Sequence, residues 1–272
     1  MVFAPEHDNP SLRIHRRLRK PHGSLFGMTV LVTGASKCIG RQIVLSLAGE
    51  GADIVVHYRE SAKEALSLCD ELSGLGVTAW ALRADFSAPD GAKSLVEKAK
   101  GVAGRLDAVI NTASLFVENT ILNITNKEFV DAMQVNAWAP FELGREFKRS
   151  VGTGAIVNVL DCRTSAHDPG HAGYILSKHM LRVMTRTMAL EYAPDIRVNA
   201  VAPGLVAAPP GKGADYLADR AAAIPLKRHG EPGDVGEAVI FLLRSFFITG
   251  QVVFVDGGEH LREHCNGPDN DT

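Results

Sequence analysis

Thr29-Val30-Leu31-Val32-Thr33-Gly34-Ala35-Ser36-Lys37-Cys38-Ile39-Gly40 decides the fold. The first five residues are apolar or β-branched without polar alternation, the pattern of a strand buried on both faces. A glycine-bearing loop follows. Apolar residues then recur at helical spacing, Ile43, Val44, Leu47 and Ala48, and Gly49 and Gly51 punctuate the end. Strand, glycine loop and helix in this order make an anion site. Glycines let the backbone approach closely, and the helix N-terminus presents free N–H groups at the positive end of its dipole. Gly34, Ser36, Lys37, Cys38, Ile39 and Gly40 are the candidate contacts to a pyrophosphate.

The same alternation continues outward from this unit. Apolar runs predict strands over 53–57, 77–82, 106–111, 155–160, 197–201 and 252–255. Helical periodicity predicts helices over 61–72, 92–102, 128–149, 173–192 and 234–243. Strands alternating with helices give a single-domain Rossmann fold: a doubly wound parallel sheet of about seven strands with helices on both faces. This domain is expected over 28–262. Residues 1–27 read as a basic, mobile extension, with Arg13, Arg16, Arg17, Arg19 and Lys20 between Pro10 and Pro21. Residues 263–272 read as a polar, frayed tail.

Composition narrows the function classes. The 272 residues are 46% hydrophobic and 22% charged, ordinary for a soluble α/β domain. A net charge of −2 gives no reason to expect nucleic acid or an acidic membrane as partner. No apolar run approaches the length of a membrane span. Cys38, Cys69, Cys162 and Cys265 are scattered, with neither metal-ligand spacing nor disulfide-scaffold density. A reducing, cytoplasmic location and no metal are the expectation. Glu6 and Asp8 weaken a transit-peptide reading of the basic extension.

The chemistry centres on Tyr174-Ile175-Leu176-Ser177-Lys178. A tyrosine and a lysine four apart share one helix face. The ammonium is expected to lower the phenol's pKa, so that the phenol passes a proton near neutral pH. This pair, the glycine loop, Asn111-Thr112-Ala113-Ser114, Asn136, Asn199 to Gly204 and Asp256-Gly257-Gly258 together resemble the short-chain dehydrogenase/reductases, in unbroken order from Met28 to Leu261. The resemblance implies roles. Asp85-Phe86 receives the adenine edge. Asn111, Ala113 and Ser114 run beside the cofactor. The backbone of Asn136 helps hold a water next to Lys178, and Pro203, Gly204 and Leu205 cover the nicotinamide. A mobile substrate lid follows, around Pro209-Pro210-Gly211.

Asp161 stands where most of that family has a serine, thirteen residues before the tyrosine. An ionised aspartate accepts hydrogen bonds and cannot donate them. A substrate offering a ring N–H or an exocyclic amine is therefore expected. The pteridine reductase branch resembles this chain further in Lys37, His57-Tyr58, Asp161 and the segment ending at Phe116, whose ring is expected to stack on a pterin. Two positions depart from that branch: Cys38 where an arginine is usual, and Val206, beside the substrate, where a serine is frequent. Cys162 is expected to point away from the pocket, and His171 to be a solvated loop histidine.

The second strand ends without an acid. His57, Tyr58, Arg59 and Ser61, with Lys37, are expected to contact a 2′-phosphate, which favours NADP. Glu60 is the counter-candidate, as a ribose ligand for NAD. Three functional readings compete. An NADPH-dependent pteridine reductase-like enzyme uses Tyr174, Lys178, Asn136 and an ionised Asp161. A carbonyl or 3-oxoacyl reductase needs Asp161 protonated. A non-catalytic cofactor-binding protein is opposed by the joint presence of Tyr174, Lys178 and Asn136. The partner is a small-molecule substrate. A homotetramer is implied by the resemblance, with Met180, Val183, Met184 and Thr187 expected on the outer face of the 173–192 helix.

Overall fold

A computed structural model of the protein describes residues 24–88, 90–165, 168–209 and 211–264. Seven strands form one sheet: β1 (Thr29–Thr33), β2 (Asp53–Tyr58), β3 (Ala79–Arg83), β4 (Ala108–Asn111), β5 (Gly154–Val159), β6 (Ile196–Pro203) and β7 (Val252–Val255). Their order is β3-β2-β1-β4-β5-β6-β7, and every pairing is parallel. The helices are α1 (Cys38–Gly49), α2 (Ala62–Gly74), α3 (Gly91–Ala103), α4 (Asn126–Met133), α5 (Ala139–Ser150), α6 (Ala172–Tyr192), α7 (Ala214–Ala221) and α8 (Pro232–Arg244).

Side-chain alternation splits the core in two. Val30, Val32, Ile54, Val56 and Ile110 face Ile43, Leu47, Leu68 and Val239, on α1, α2 and α8. Leu31, Val55, Val109 and Ile156 face Leu95, Leu143, Phe147 and Met188, on α3, α5 and α6. Strands buried on both faces need no polar side, which is why β1 reads as an uninterrupted apolar run. Strand order reverses between β1 and β4, and the crevice at their C-terminal ends is where such sheets bind ligands.

Several expected boundaries shift. β6 runs from Ile196 to Pro203, longer at both ends than predicted. The single helix predicted over 128–149 is two helices, α4 and α5, joined by a π-helical turn at Gln134–Trp138. Helix α7, after the glycine of the expected lid, has no counterpart in the prediction. The packed domain also begins before Met28. Leu25 is buried in the core, and the Gly27 N–H donates to the Gly51 carbonyl at 3.1 Å. Burying one leucine is worth about 1.5–3 kcal/mol, enough to tie residues 24–27 to the domain. The basic stretch from Arg13 to Lys20 and most of the expected tail lie outside the described residues. Among the described residues no helix is long and apolar enough to cross a membrane.

Candidate active site

The cofactor crevice is built by close backbone approach. Gly34 has φ of +60°, and a Cβ there would sit 2.8 Å from the Ala113 Cα. A Cβ on Gly40 would sit 2.3 Å from the Gly34 carbonyl oxygen. Only glycine fits either place. The Thr33 hydroxyl oxygen accepts from the Thr112 and Ala113 N–H groups at 3.0 and 3.1 Å, joining the ends of β1 and β4. No side chain caps the first turn of α1, which leaves its leading N–H groups for an anion. Ser36 is buried along this loop, Ile39 packs on the core, and exposed Cys38 holds a positive φ of 49°. The adjoining groove, about 220 Å³, is lined by Gly34, Ser36, Tyr58, Arg59, Ser61, Asp85, Ala113 and Ser114, among others. These features fit a dinucleotide.

His57 does not take the expected role. It is buried, its Nδ1 accepts from the Gly34 N–H at 3.1 Å, and its Nε2 lies 3.1 Å from the Ala84 carbonyl. Burial pushes its pKa down to about 4 against the raising effects of Ala84 and Asp85. The ring is neutral near pH 7 and stacks on Phe86 at 4.5 Å. It stitches β2 to the glycine loop and cannot be a cation for phosphate. The exposed cations are Lys37, paired with Glu64 at 2.9 Å, and Arg59, paired with Glu60 at 3.3 Å. Pairs this exposed are weak and exchangeable. Asp85 Oδ1 accepts from the Ser87 N–H and hydroxyl at 3.0 and 2.6 Å, which fixes its carboxylate at the groove.

Buried amides support the catalytic end. Asn111 donates to Asn158 Oδ1 at 2.7 Å, and Asn158 donates to the Thr185 hydroxyl at 2.8 Å, so β4, β5 and α6 are joined through the core. Asn136 lies in the π turn. Its Oδ1 accepts from the Leu115 N–H at 2.7 Å and the Ser114 hydroxyl at 3.2 Å, and its Nδ2 donates to Leu115 O and Ser177 Oγ, both at 2.9 Å. The side chain thus pins the loop after β4 to α6.

Tyr174 and Lys178 share one face of α6, and the Lys178 Nζ lies 5.6 Å from the Tyr174 ring centroid. The lysine is buried and donates to the Val159 carbonyl at 2.8 Å. Burial pushes its pKa down to about 8, against the pull of Asp161. The phenol is not lowered as expected. Burial, and then the Asp161 carboxylate, push the Tyr174 pKa well above its ordinary value. Burial removes the water that would solvate a phenolate, and Tyr174 donates to a negative group, Asp161 Oδ2, at 3.0 Å.

Arg163, which the sequence reading passed over, decides the state of Asp161. Its Nε and Nη2 donate to Oδ1 and Oδ2 at 2.9 and 2.8 Å, and its backbone N–H donates to Oδ1 at 2.9 Å. Burial alone would raise the Asp161 pKa, but the bonds and charge of Arg163 outweigh it and hold the carboxyl below its ordinary range. Asp168 accepts from Arg163 Nη1 and pairs with His171 Nδ1 at 2.8 Å. His171 is no solvated loop residue, because it stacks on Phe116 at 4.3 Å, while Phe116 meets the Tyr174 ring edge-on at 4.8 Å. A carboxylate expected to be ionised requires a cation nearby, and that was the available signal for Arg163.

At the other wall, the Gly204 N–H donates to the Val255 carbonyl at 3.0 Å, and the Leu205 N–H donates to Glu259 Oε2 at 3.2 Å. The turn after Pro203 is thereby held by the C-terminal segment. Cys162 is buried with its thiol beside Glu259, and burial pushes the thiol's pKa up. Val206, expected beside the substrate, turns inward. It is buried in the core against Gly230, because an apolar side chain at that point gains more from packing than from the open crevice. The structure therefore brings together Asp161, Tyr174, Lys178, Asn136 and Phe116, while His57 lines the groove as a neutral, hydrogen-bonded ring and Val206 lies in the core. Among the described residues no His, Cys, Asp and Glu side chains are grouped to hold a metal.

A doubly wound sheet with a tyrosine–lysine pair at the C-terminal end of β5 is the frame of a nucleotide-dependent oxidoreductase. The chain belongs to the short-chain dehydrogenase/reductase family, and its residues 34–260 match the model of the member family described as enoyl-(acyl carrier protein) reductase. It is 32% identical over 241 residues to the 3-oxoacyl-(acyl-carrier-protein) reductase FabG of Staphylococcus epidermidis, across 86% of this chain and 99% of that protein. FolM alternative dihydrofolate reductase 1 from Brucella canis, solved with NADP, aligns with a TM-score of 0.83 at 30% identity, over 90% of this chain and 98% of that one. A blue fluorescent protein from a metagenomic library, solved with NADPH, aligns with a TM-score of 0.81 at 31% identity, over 87% of this chain and 99% of that one.

Proposed function

We propose that the protein is an NADPH-dependent reductase of the pteridine reductase type, adding hydride to the carbon of a C=N bond in a pterin or dihydropterin. One observation carries this reading: Asp161, held ionised by Arg163, accepts the hydrogen bond of Tyr174. The cofactor supplies the hydride from its nicotinamide when bound. Tyr174 holds a proton at its hydroxyl and passes it to the substrate nitrogen. Asp161 fixes that hydroxyl in place. The Lys178 ammonium, close behind the ring, offsets the negative charge left on the phenol. Phe116 and His171 supply a flat aromatic wall suited to a heteroaromatic ring. Likeness to FolM supports the same reading. A spectrophotometric screen of NADPH oxidation with dihydrobiopterin, dihydromonapterin and dihydrofolate beside ketones and quinones tests it. Turnover of ketones alone would overturn it.

The second reading is a 3-oxoacyl reductase, favoured by the likeness to FabG. It requires a protonated, donating Asp161, which the Arg163 pair opposes.

NADPH is the expected cofactor over NADH. Lys37 and Arg59 flank the adenosine groove, and their exposed carboxylate partners are readily exchanged for a 2′-phosphate. Charge-assisted hydrogen bonds of about 1.5–3 kcal/mol each predict a preference above about tenfold in kcat/KM. Equal use of NADH would instead make Glu60 a ribose ligand.

A homotetramer is the proposed assembly. Leu176, Val183, Thr187 and Leu190 are exposed on α6, whereas Met180 and Met184, expected on this outer face, pack partly into the core. Exposed apolar residues along a helix suit a subunit contact. Light scattering at micromolar concentration should give four times the chain mass of 29.2 kDa, and a stable monomer would refute the assembly.

A further inference from the structure

Asp161 has no acceptor left for a substrate. A carboxylate carries about four lone-pair sites. At Oδ1 they receive the Arg163 N–H and Nε–H, and at Oδ2 the Arg163 Nη2–H and the Tyr174 hydroxyl. The spare capacity of this corner is donor capacity. A guanidinium has about five N–H groups. Two go to Asp161 and one to Asp168, and the remainder meet no acceptor among the described residues. Nor is the group sealed away. Its side chain keeps 29% exposure, and its central carbon lies 5.6 and 5.7 Å from the ring centroids of Phe116 and Tyr174.

The placement of these donors is specific. Tyr174 Oη and Arg163 Nη2 bind the same carboxylate oxygen, at 3.0 and 2.8 Å. The proton donor and a cationic donor are therefore neighbours, bridged by one carboxylate oxygen. A substrate fitting both presents two adjacent acceptors, one to be protonated and one to be held. We propose that Arg163 is a substrate-binding residue that selects a carbonyl oxygen lying beside the ring nitrogen protonated by Tyr174. The proposal rests on the pteridine reading above. In a 7,8-dihydropterin the 4-oxo oxygen and N5 share one edge of the bicyclic ring, which is the required arrangement. This reverses the expectation that the substrate offers a donor to Asp161.

The test compares 7,8-dihydrobiopterin with its analogue lacking the 4-oxo group, by steady-state NADPH oxidation. Wild type is expected to favour the oxo substrate by about 10–100-fold in kcat/KM, the range of one charge-assisted hydrogen bond. R163M should bring that ratio close to one. A residue that only holds Asp161 in place would lower both substrates together and leave the ratio unmoved, and that result overturns the inference alone. Equal use of the two substrates by wild type also overturns it. If R163M does not fold, R163K carries the comparison. A compact ammonium on a different stem does not reproduce the planar fork, so the ratio should fall several-fold, and an unchanged ratio is again fatal. Failure of wild type to reduce either pteridine overturns both this inference and the reading beneath it.

Discussion

Tyr174→Phe is expected to abolish reduction while NADPH binding stays close to that of wild type. Burial and the Asp161 carboxylate keep the phenol protonated, so the resting site holds its proton at one atom, Tyr174 Oη. Phenylalanine removes that atom and nothing else. The ring still meets Phe116 edge-on and still lies over Lys178. General acid–base groups typically contribute about 10²–10⁴-fold, and kcat should fall by that range. Stability should change little, by about 1 kcal/mol for one lost hydrogen bond. Steady-state kinetics and a fluorescence titration with NADPH separate the two effects. Near-normal turnover would show that the acid lies elsewhere.

Asp161→Ser should have the next largest effect, on both stability and substrate choice. The variant removes one half of a partly buried ion pair and leaves Arg163 with Asp168 alone. Breaking a fully buried pair costs about 3–5 kcal/mol, and the exposure of Arg163 and its remaining partner place this case below that range. The pH dependence follows from the depressed pKa of Asp161 in the folded state. The carboxylate's contribution is complete above its unfolded value of about 3.9 and is lost as pH falls through the lower folded value. The gap between wild type and variant should therefore be widest near neutral pH and narrow below about pH 4, as read by urea unfolding at both. Pterin turnover should drop by about 10²-fold because Tyr174 loses its anchor. Activity on simple ketones should rise, since serine supplies a donor. Undiminished pterin turnover would remove Asp161 from the mechanism.

Much of the fold was legible because local pattern and global fold agree. The run 29–33 could only be a strand buried on both faces, and Gly34 and Gly40 sit where a Cβ has no room. Tyr174 and Lys178 were legible for the same reason, since spacing on a helix fixes which residues share a face. His57 was misread because its role depends on Gly34 and Ala84, residues remote in sequence that supply the ring's two partners. Arg163 was missed because it lies beyond the strand expected over 155–160, where no regular period fixes which side chains share a face. Here a 3-10 turn at Cys162–Ser165 folds the arginine back onto Asp161. The π turn was invisible for another reason. Apolar periodicity over 128–149 supports a helix but does not count the residues in each turn.

That widened turn acts as a phase shifter between two consecutive helices. The Ala139 N–H reaches back to the Gln134 carbonyl, five residues away, so the chain carries one residue more than an α-helical turn would hold. An α-helix advances about 100° per residue. Deleting any one residue of Gln134–Trp138 would restore a regular helix and rotate everything beyond it by that angle. Either Asn136 would swing away from Leu115, or Leu143 and Phe147 would leave the core. The stretch is therefore intolerant of a new length, like a gear that cannot lose one tooth.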